Sequence, residues 1–341
     1  MTLDSMKDIH FKVCVVCATY NHEPYIEDAM RGFVSQETNF PFVSVIIDDA
    51  SKDRTVDRIE RFFRDEFNFR DTGVAYEQDL EYGKVMFAQH ATNKNCYFAI
   101  ILLNENHYSQ KKSKKPYTLT WEATASYIAV CEGDDYWIDS RKLQKEVDVL
   151  DSDASLMGVV TDSVIVDKDG RPIPDRDLKI YPEDKPGRYN LHDFFLNSPS
   201  YPTATVVFRN INRDEILAKM AHTYSKYLGD WTLWAILHSY GDFYYINETT
   251  SAYRMNPTSL THTVDRVGRA KASFTICKSL QEVLPEEYSQ YLKKDAWMYL
   301  AVAHACRKEK KYCSMAAYFA WCLIRYPRYT IKRMIQLIRS K

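Results

Sequence analysis

Two nearly unbroken apolar runs, residues 11–18 (FKVCVVCA) and 42–47 (FVSVII), constrain this chain most. Runs this short and this rich in β-branched residues read as strands buried on both faces. Each stops in a polar cluster. The first gives way to Thr19-Tyr20-Asn21-His22-Glu23-Pro24 and the second to Asp48-Asp49-Ala50-Ser51-Lys52-Asp53. Pro24 suits a first helical turn with Asn21 or His22 near the cap. Ile26, Ala29, Met30 and Phe33 then recur at the spacing of a helix face, and Val56, Ile59, Phe62 and Phe63 repeat that pattern after the second cluster. Strand, helix, strand, helix at this spacing predicts an α/β fold with a parallel sheet and right-handed crossovers.

A third stretch carries the chemistry. Tyr127-Ile128-Ala129-Val130-Cys131 is long enough for one more buried strand, and it breaks into Glu132-Gly133-Asp134-Asp135-Tyr136-Trp137. Clustered carboxylates repel one another unless a cation or buried donors offset them. Oxygen ligands of this kind suit Mg²⁺ or Mn²⁺, which in turn hold phosphates. Ligands of open α/β sheets settle beyond the carboxyl ends of the strands, so the three polar clusters are expected to converge on one ligand. A solvated acidic turn is the plainer alternative for an Asp-Asp pair taken alone. No G-x-G-x-x-G or G-x-x-x-x-G-K-[ST] follows any of these strands, which removes the main support for a dinucleotide or P-loop site.

Composition narrows the classes further. Lys plus Arg number 45 against 46 Asp plus Glu, so no global field points to nucleic acid. The eight cysteines show no second CxxC or His pair behind Cys14-x-x-Cys17, and strand alternation puts those two on opposite faces. They read as reduced, mostly buried thiols of a cytoplasmic protein. No basic stretch followed by an apolar one opens the sequence, and nothing approaches a membrane-spanning run. Residues 71–126 read as a long Tyr- and Asn-rich loop holding a solvated basic turn, Lys111-Lys112-Ser113-Lys114-Lys115. Leu143, Val147 and Leu150 mark a helix on the sheet. Residues 156–161 and 203–208 read as strands, with turns and a variable loop over 171–187.

The segments CATYNHEPYIEDAM, VSVIIDDASKDRT, ENHYSQ, YIAVCEGDDYWIDSRKLQKEVDVL, GDWTLW and YRMNPTSLT occur in the order found in bacterial family-2 glycosyltransferases, which the chain resembles from about residue 11 to 261. The resemblance implies an inverting enzyme of a kind often found in surface-polysaccharide gene clusters, such as those for capsule. The resemblance implies the GT-A fold, a Rossmann-like, mostly parallel central sheet flanked by helices, here with a helical C-terminal extension.

It also implies roles, residue by residue. Ala18, Thr19 and Tyr20, with Asn21 and Glu23, would line the nucleotide-sugar, Tyr20 stacking on the base. Asp49 resembles the aspartate that accepts a hydrogen bond from the base, which favours uracil, with Ser51 and Asp53 as loop companions. Asn106, Tyr108 and Ser109 match a segment near the sugar nucleotide. Glu132-Gly133-Asp134 occupies the place of the family's D-x-D, with Asp134 as metal ligand and Glu132 reaching ribose or the metal, directly or through water. Asp135 joins them at the nucleotide-sugar, and Trp137 faces the acceptor. Asp230, in Gly229-Asp230-Trp231, fits the catalytic base, and Trp231 contacts acceptor or sugar; a helix cap is the plainer role for Asp230. Arg254 would pair with phosphate. The family's Tyr-Arg-x-His carries Asn256 in place of its His, which leaves Asn256 or His262 as the replacement.

The implied organisation is a GT-A domain over 1–264, with a nucleotide-sugar half to about 150 and an acceptor half from 151, then a helical region over 265–341. Residues 310–341 carry eight Lys or Arg and no acidic residue, interleaved with apolar side chains. That pattern fits either an interfacial helix on anionic lipid or a helix packed on the domain with a basic outer face. The expected partners are a nucleotide-sugar donor and a saccharide or lipid-linked acceptor, at the inner face of the cytoplasmic membrane. A sugar-phosphate nucleotidyltransferase and a catalytically impaired sugar-nucleotide-binding relative are the alternatives; the former should carry a glycine-rich first loop, and residues 19–24 contain no glycine.

Overall fold

The computed structural model describes residues 9–68, 75–178, 180–181, 185–197, 201–223, 229–256, 266–286, 296–327 and 330–331. Its strands are β1 (Phe11–Thr19), β2 (Phe42–Asp48), β3 (Tyr76–Leu80), β4 (Gly83–Gln89), β5 (Cys96–Leu103), β6 (Ala125–Val130), β7 (Tyr136–Trp137), β8 (Leu156–Val166), β9 (Pro172–Leu178), β10 (Gly187–Tyr189), β11 (Val206–Arg209) and β12 (Asp242–Arg254). They join in one sheet of order β10-β12-β8-β11-β6-β1-β2-β5-β4-β3, with β7 paired to β12 and β9 to β8. The centre is parallel: β1 runs alongside β2 and β6, and β2 alongside β5. Antiparallel partners flank that centre on both sides, β4 against β5 and β11 against β6.

Helices α1 (Ile26–Val34), α2 (Thr55–Glu66) and α4 (Lys142–Ser152) cover one face, and α3 (Lys115–Glu122) lies on the other. The expected helical stripe of Ile26, Ala29, Met30 and Phe33 is fully buried, and Ile59, Phe62, Phe63, Leu143, Val147 and Leu150 join it on the same side. Burying one such side chain contributes roughly 1.5–3 kcal/mol. The opposite face buries Phe11, Cys14, Val43, Val45, Ile101 and Trp121. Strand alternation thus sends Cys14 and Cys17 to opposite faces. All eight cysteines are free thiols, seven buried and Cys313 exposed.

Two expectations need correction. Within the stretch 71–126, β3, β4, β5 and α3 stand where one long loop was expected. The run Tyr97-Phe98-Ala99-Ile100-Ile101-Leu102-Leu103 is a buried central strand, β4 lies antiparallel along its edge, and a hairpin at Glu81-Tyr82 joins β4 to β3. Gly83 permits the close approach of β4 to β5, because its φ is +149° and a Cβ there would stand 1.9 Å from the Leu102 carbonyl oxygen. The stretch 171–187 likewise contributes β9, paired with β8.

The chain falls into two compact units. The first holds Met1–Asn190, Pro199–Asn212 and Gly241–Asn256, and so the whole sheet. The second, helical over its described residues, holds Leu191–Ser198, Arg213–Tyr240 and Pro257–Lys341. It contains α5 (Leu191–Asn197), α6 (Arg213–His222), α7 (Gly229–His238), α8 (Arg266–Val283), α9 (Ala296–Lys308) and α10 (Tyr312–Arg325). Helical structure therefore gathers segments from inside the expected acceptor half as well as from the C-terminal region.

Candidate functional site

The parallel register brings three polar clusters to one edge. Thr19, the last residue of β1, pairs with Asp48, the last of β2, and Val16 pairs with Val130 on the other side. Beyond β6 the chain keeps following β1: Cys131 N–H donates to the Val16 carbonyl at 3.1 Å and Gly133 N–H to that of Ala18 at 3.0 Å. The acidic turn is thus laid directly against Thr19. Only glycine fits there. A Cβ on Gly133 would stand 2.7 Å from Thr19 Oγ1 and 3.0 Å from Ile26 Cδ1.

The two other loops are stitched to each other. Asn21 N–H donates to Ser51 Oγ at 2.8 Å, Lys52 N–H to Asn21 Oδ1 at 2.7 Å, and Glu23 N–H to Asp53 Oδ2 at 3.1 Å. Ser51 in turn donates its hydroxyl to Asp48 at 2.5 Å. Glu23 reaches Arg54 at 2.8 Å. Asn21 and Ala50 both adopt positive φ, 54° and 58°, a conformation that non-glycine residues hold only when their surroundings enforce it. Burial pushes the Asp48 carboxyl up, partly offset by the Ser51 bonds. Burial acts the same way on Asp53, but bonds from the Thr55 hydroxyl and N–H and from Glu23 N–H outweigh it and hold that carboxyl low.

Asp49 is used internally. It accepts His107 N–H at 2.8 Å, Tyr108 N–H at 3.1 Å and Lys114 Nζ at 3.1 Å, with its side chain 1% exposed. Asn106 donates to the Asp49 carbonyl at 3.0 Å and accepts Ser109 N–H at 2.6 Å, so the segment of Asn106, Tyr108 and Ser109 is fastened to the second loop. The lysine turn expected to be solvated is therefore partly drawn in: Lys114 binds Asp49, and Lys115 binds the buried Glu122 at 2.9 Å. Opposite charges nearby stabilise those carboxylates, and the sequence carries no sign of which lysine would do so.

The acidic turn divides its labour. Asp135 is buried and accepts Arg254 N–H at 2.8 Å. Burial, then repulsion from Asp134 and Glu132, pushes its carboxyl well above the usual range. Glu132 Oε2 accepts the Thr203 hydroxyl at 3.1 Å. Asp134 is different. Its carboxylate oxygens accept no hydrogen bond among the described residues, and the nearest charged partner is His22 Nε2, 3.9 Å from Oδ2. Burial holds His22 below the ordinary imidazole range although Asp134, Asp53 and Asp48 pull the other way. Thr19 Oγ1 and His22 Nδ1 are buried with no hydrogen-bond partner among the described residues. Ala18 and Tyr20 sit half-buried beside them.

Like Asp49 and Asp135, two more residues expected to meet ligand are turned to the protein. Trp137 is 3% exposed, packs edge-on against Phe33 at 4.9 Å and donates Nε1–H to the Ala204 carbonyl at 3.0 Å. A buried indole needs such an acceptor, and this one holds it in the core rather than toward an acceptor sugar. Arg254 is 3% exposed and donates to the carbonyls of Asp134 (2.9 Å) and Lys168 (3.2 Å) and to Asp28 Oδ2 (2.7 Å). Its guanidinium lies over Tyr25 at 4.7 Å and Tyr136 at 5.1 Å. Arg254 thus braces the acidic turn from behind instead of presenting a fork to phosphate. Asn256 is buried beside it, and His262 lies outside the described residues.

In the helical unit, Asp230 stands in the first turn of α7. It meets solvent, yet protein surrounds it closely enough for desolvation to push its carboxyl up. Trp231 is half-buried, its ring 5.3 Å from that of Phe194.

Residues 14–104 match the family described as Glycosyl transferase family 2. Two solved structures share the architecture at low identity. S. aureus TarS (residues 1–349, in complex with UDP) is 14% identical with a TM-score of 0.51, over 91% of this chain and 75% of that one. The mannosyltransferase PcManGT from Pyrobaculum calidifontis, in complex with GDP-Man and Mn²⁺, is 14% identical with a TM-score of 0.52, over 98% and 81%. Residues 14–104 are thus similar to a family-2 glycosyltransferase domain, and the chain shares the GT-A fold. Its curated relatives include the uncharacterized proteins Rv1520 of Mycobacterium tuberculosis and Mb1547 of Mycobacterium bovis, each 32% identical over 144 residues. That match covers 40% of this chain and 31% of theirs, so the chain spans about a third of the length of these relatives.

A divalent ion fits the edge of this GT-A domain. Asp134 offers an unengaged carboxylate, and the orphaned Thr19 hydroxyl lies against the same turn. No three His, Cys, Asp or Glu side chains converge as a cage among the described residues. The ion would therefore take most of its ligands from diphosphate and water, as Mg²⁺ commonly does.

Proposed function

We propose that this chain is a metal-dependent, inverting glycosyltransferase. It moves a sugar from a nucleotide-sugar, preferentially UDP-linked, to a hydroxyl of a saccharide or lipid-linked acceptor in surface-polysaccharide synthesis. One observation carries the reading: among the carboxylates gathered at three adjacent strand ends, Asp134 keeps both oxygens unengaged beside an orphaned hydroxyl. The complexes of TarS with UDP and with UDP-GlcNAc, and of PcManGT with GDP-Man and Mn²⁺, support the class of donor.

In this reading Ala18, Thr19 and Tyr20 line the base, with Tyr20 stacking on it. Asp49 reaches a base N–H only by exchanging the Lys114 bond. Asp134 would hold Mg²⁺ or Mn²⁺, which would supply charge stabilisation to the departing diphosphate. Asp230 takes the acceptor hydroxyl's proton as the new C–O bond forms at the anomeric carbon and the bond to diphosphate breaks. Its raised pKa makes it a stronger base than an ordinary carboxylate. Arg254 keeps the Asp134 backbone in place. Asp134→Ala should abolish transfer and metal-dependent UDP binding together, whereas Asp230→Asn should keep binding and lose transfer in a UDP-release assay. Normal turnover in Asp230→Asn removes the base assignment.

A second reading, a sugar-nucleotide-binding relative without transferase activity, is favoured by Asn256 at the position of the family's His. It requires UDP and Mn²⁺ binding with no release from any UDP- or GDP-sugar. Membrane contact is a further part of the proposal. In α10 and just beyond it Tyr312, Leu323, Ile324 and Ile331 are exposed near Lys310, Lys311 and Arg325. No helix among the described residues is long and apolar enough to cross a membrane, so the contact would be peripheral. Residues 332–341 of the basic segment lie outside the described residues. Flotation with anionic liposomes should weaken for a chain ended before Lys310, and equal flotation excludes the contact.

A further inference from the structure

We propose that His22 is a direct ligand of the divalent ion, through Nε2, shared with Asp134. The inference deepens the donor reading above and rests on it. His22 comes from the loop after β1, and its Nε2 faces the acidic turn 3.9 Å from Asp134 Oδ2. That gap is too long for a hydrogen bond. It suits an ion between the two groups. With bonds of about 2.1 Å, cis ligands of an octahedral ion lie about 3 Å apart and trans ligands about 4.2 Å. The observed separation falls between these limits, so a small turn of either side chain completes the pair.

An independent observation points to a ligand at the same place. Thr19 is 3% exposed, and its Oγ1 has no hydrogen-bond partner among the described residues. A buried hydroxyl left unpaired is unfavourable, so such groups normally have a partner. This one lies against Gly133, between Glu132 and Asp134 in the chain, so the unpaired hydroxyl sits on the same acidic turn. A carboxylate and an imidazole therefore face each other at the end of β1, with an unpaired hydroxyl against the same turn.

A nitrogen ligand also sets the choice of ion. Mg²⁺ takes oxygen ligands almost exclusively, whereas imidazole binds later first-row ions and is accepted by Mn²⁺. His22 thus makes the site select Mn²⁺ over Mg²⁺, and replacing it should narrow that preference.

The test is pulsed electron paramagnetic resonance on the full chain with Mn²⁺ and UDP. Directly bound ¹⁴N coupling should appear, change on ¹⁵N-histidine labelling of the unaltered protein, and vanish in His22→Gln. Calorimetry with UDP present should show Mn²⁺ affinity falling about tenfold or more in His22→Gln, with Mg²⁺ affinity nearly unchanged. Bound Mn²⁺ without nitrogen coupling, or coupling that survives His22→Gln, overturns the assignment while leaving the donor reading intact. Failure of the unaltered protein to bind Mn²⁺ with UDP at all overturns both. The labelling result needs no variant, so a folding defect in His22→Gln cannot obscure it.

Discussion

Arg254→Ala separates a residue that braces the site from one that touches phosphate. The guanidinium holds two backbone carbonyls, those of Asp134 and Lys168, and leaving each without a donor costs about 1 kcal/mol. Its contacts with the Tyr25 and Tyr136 rings add about 0.5–1 kcal/mol apiece. The Asp28 partner is half exposed, so that pair is worth at most about 1 kcal/mol. The total is about 3–5 kcal/mol lost from the unit that carries the sheet. Arg254→Lys restores the charge beside Asp28 without the planar fork, and should recover less than half of that. Urea unfolding followed by circular dichroism measures the stability, and calorimetry with Mn²⁺ and UDP measures the binding. Bracing predicts a large loss of stability and weaker binding that tracks a loosened Asp134. Stability within about 0.5 kcal/mol of the parent, with UDP binding lost, would show that the guanidinium meets phosphate and would refute the argument.

Two further outcomes follow from the same packing. Gly133→Ala forces a Cβ into Thr19 and Ile26, which should cost about 1–3 kcal/mol and weaken Mn²⁺-dependent UDP binding; unchanged binding would detach this turn from the site. Behind the turn, Lys142 and Glu146 form a fully buried pair with Nζ–O distances of 2.6 Å, and burial pushes the Glu146 carboxyl from 4.5 up to about 7. The folded state therefore keeps a proton that the unfolded state has released between those values, so stability falls as pH rises through that window, by on the order of 3 kcal/mol. Glu146→Gln should flatten the slope of melting temperature against pH between about 5 and 7, and an unaltered slope assigns it to other groups.

Much of the central sheet was legible because β1, β2 and β6 are nearly continuous apolar runs and their helices keep a clean stripe. β5 was equally apolar, yet the Tyr-, Asn- and Lys-rich residues around it disguised the strand as loop. β12 was hidden for a different reason. Its register against β8 shifts between Ile246 and Thr249 and again before Ser251, which breaks the alternation a strand reading needs. At the site, sequence located the three clusters but not the direction of each side chain. Trp137 lies in a two-residue strand, too short for any periodicity to tell core from surface. Arg254 and Lys114 looked like candidate phosphate partners or solvated charges, and only their partners at Asp28 and Asp49 reveal that Arg254 is internal and Lys114 partly so.

The carboxylates of this edge are more numerous than a metal site requires, and their partners explain why. Asp48, Asp49, Asp53 and Asp135 each accept a backbone N–H, so each fixes a loop where regular structure has ended. Such bonds favour the ionised form, whereas the crowding of Asp134 and Glu132 around Asp135 opposes it. Loop order and electrostatic strain therefore come from the same residues. The strain persists because Arg254 and the backbone donors over-determine the geometry, and it gathers beside the one carboxylate that has kept its oxygens open. A cation bound at Asp134 would lower the repulsion on Asp135 as well as engage the donor. Metal binding should consequently stabilise the folded edge by more than its contacts at Asp134 alone, since ligand affinity for the folded form adds directly to its stability.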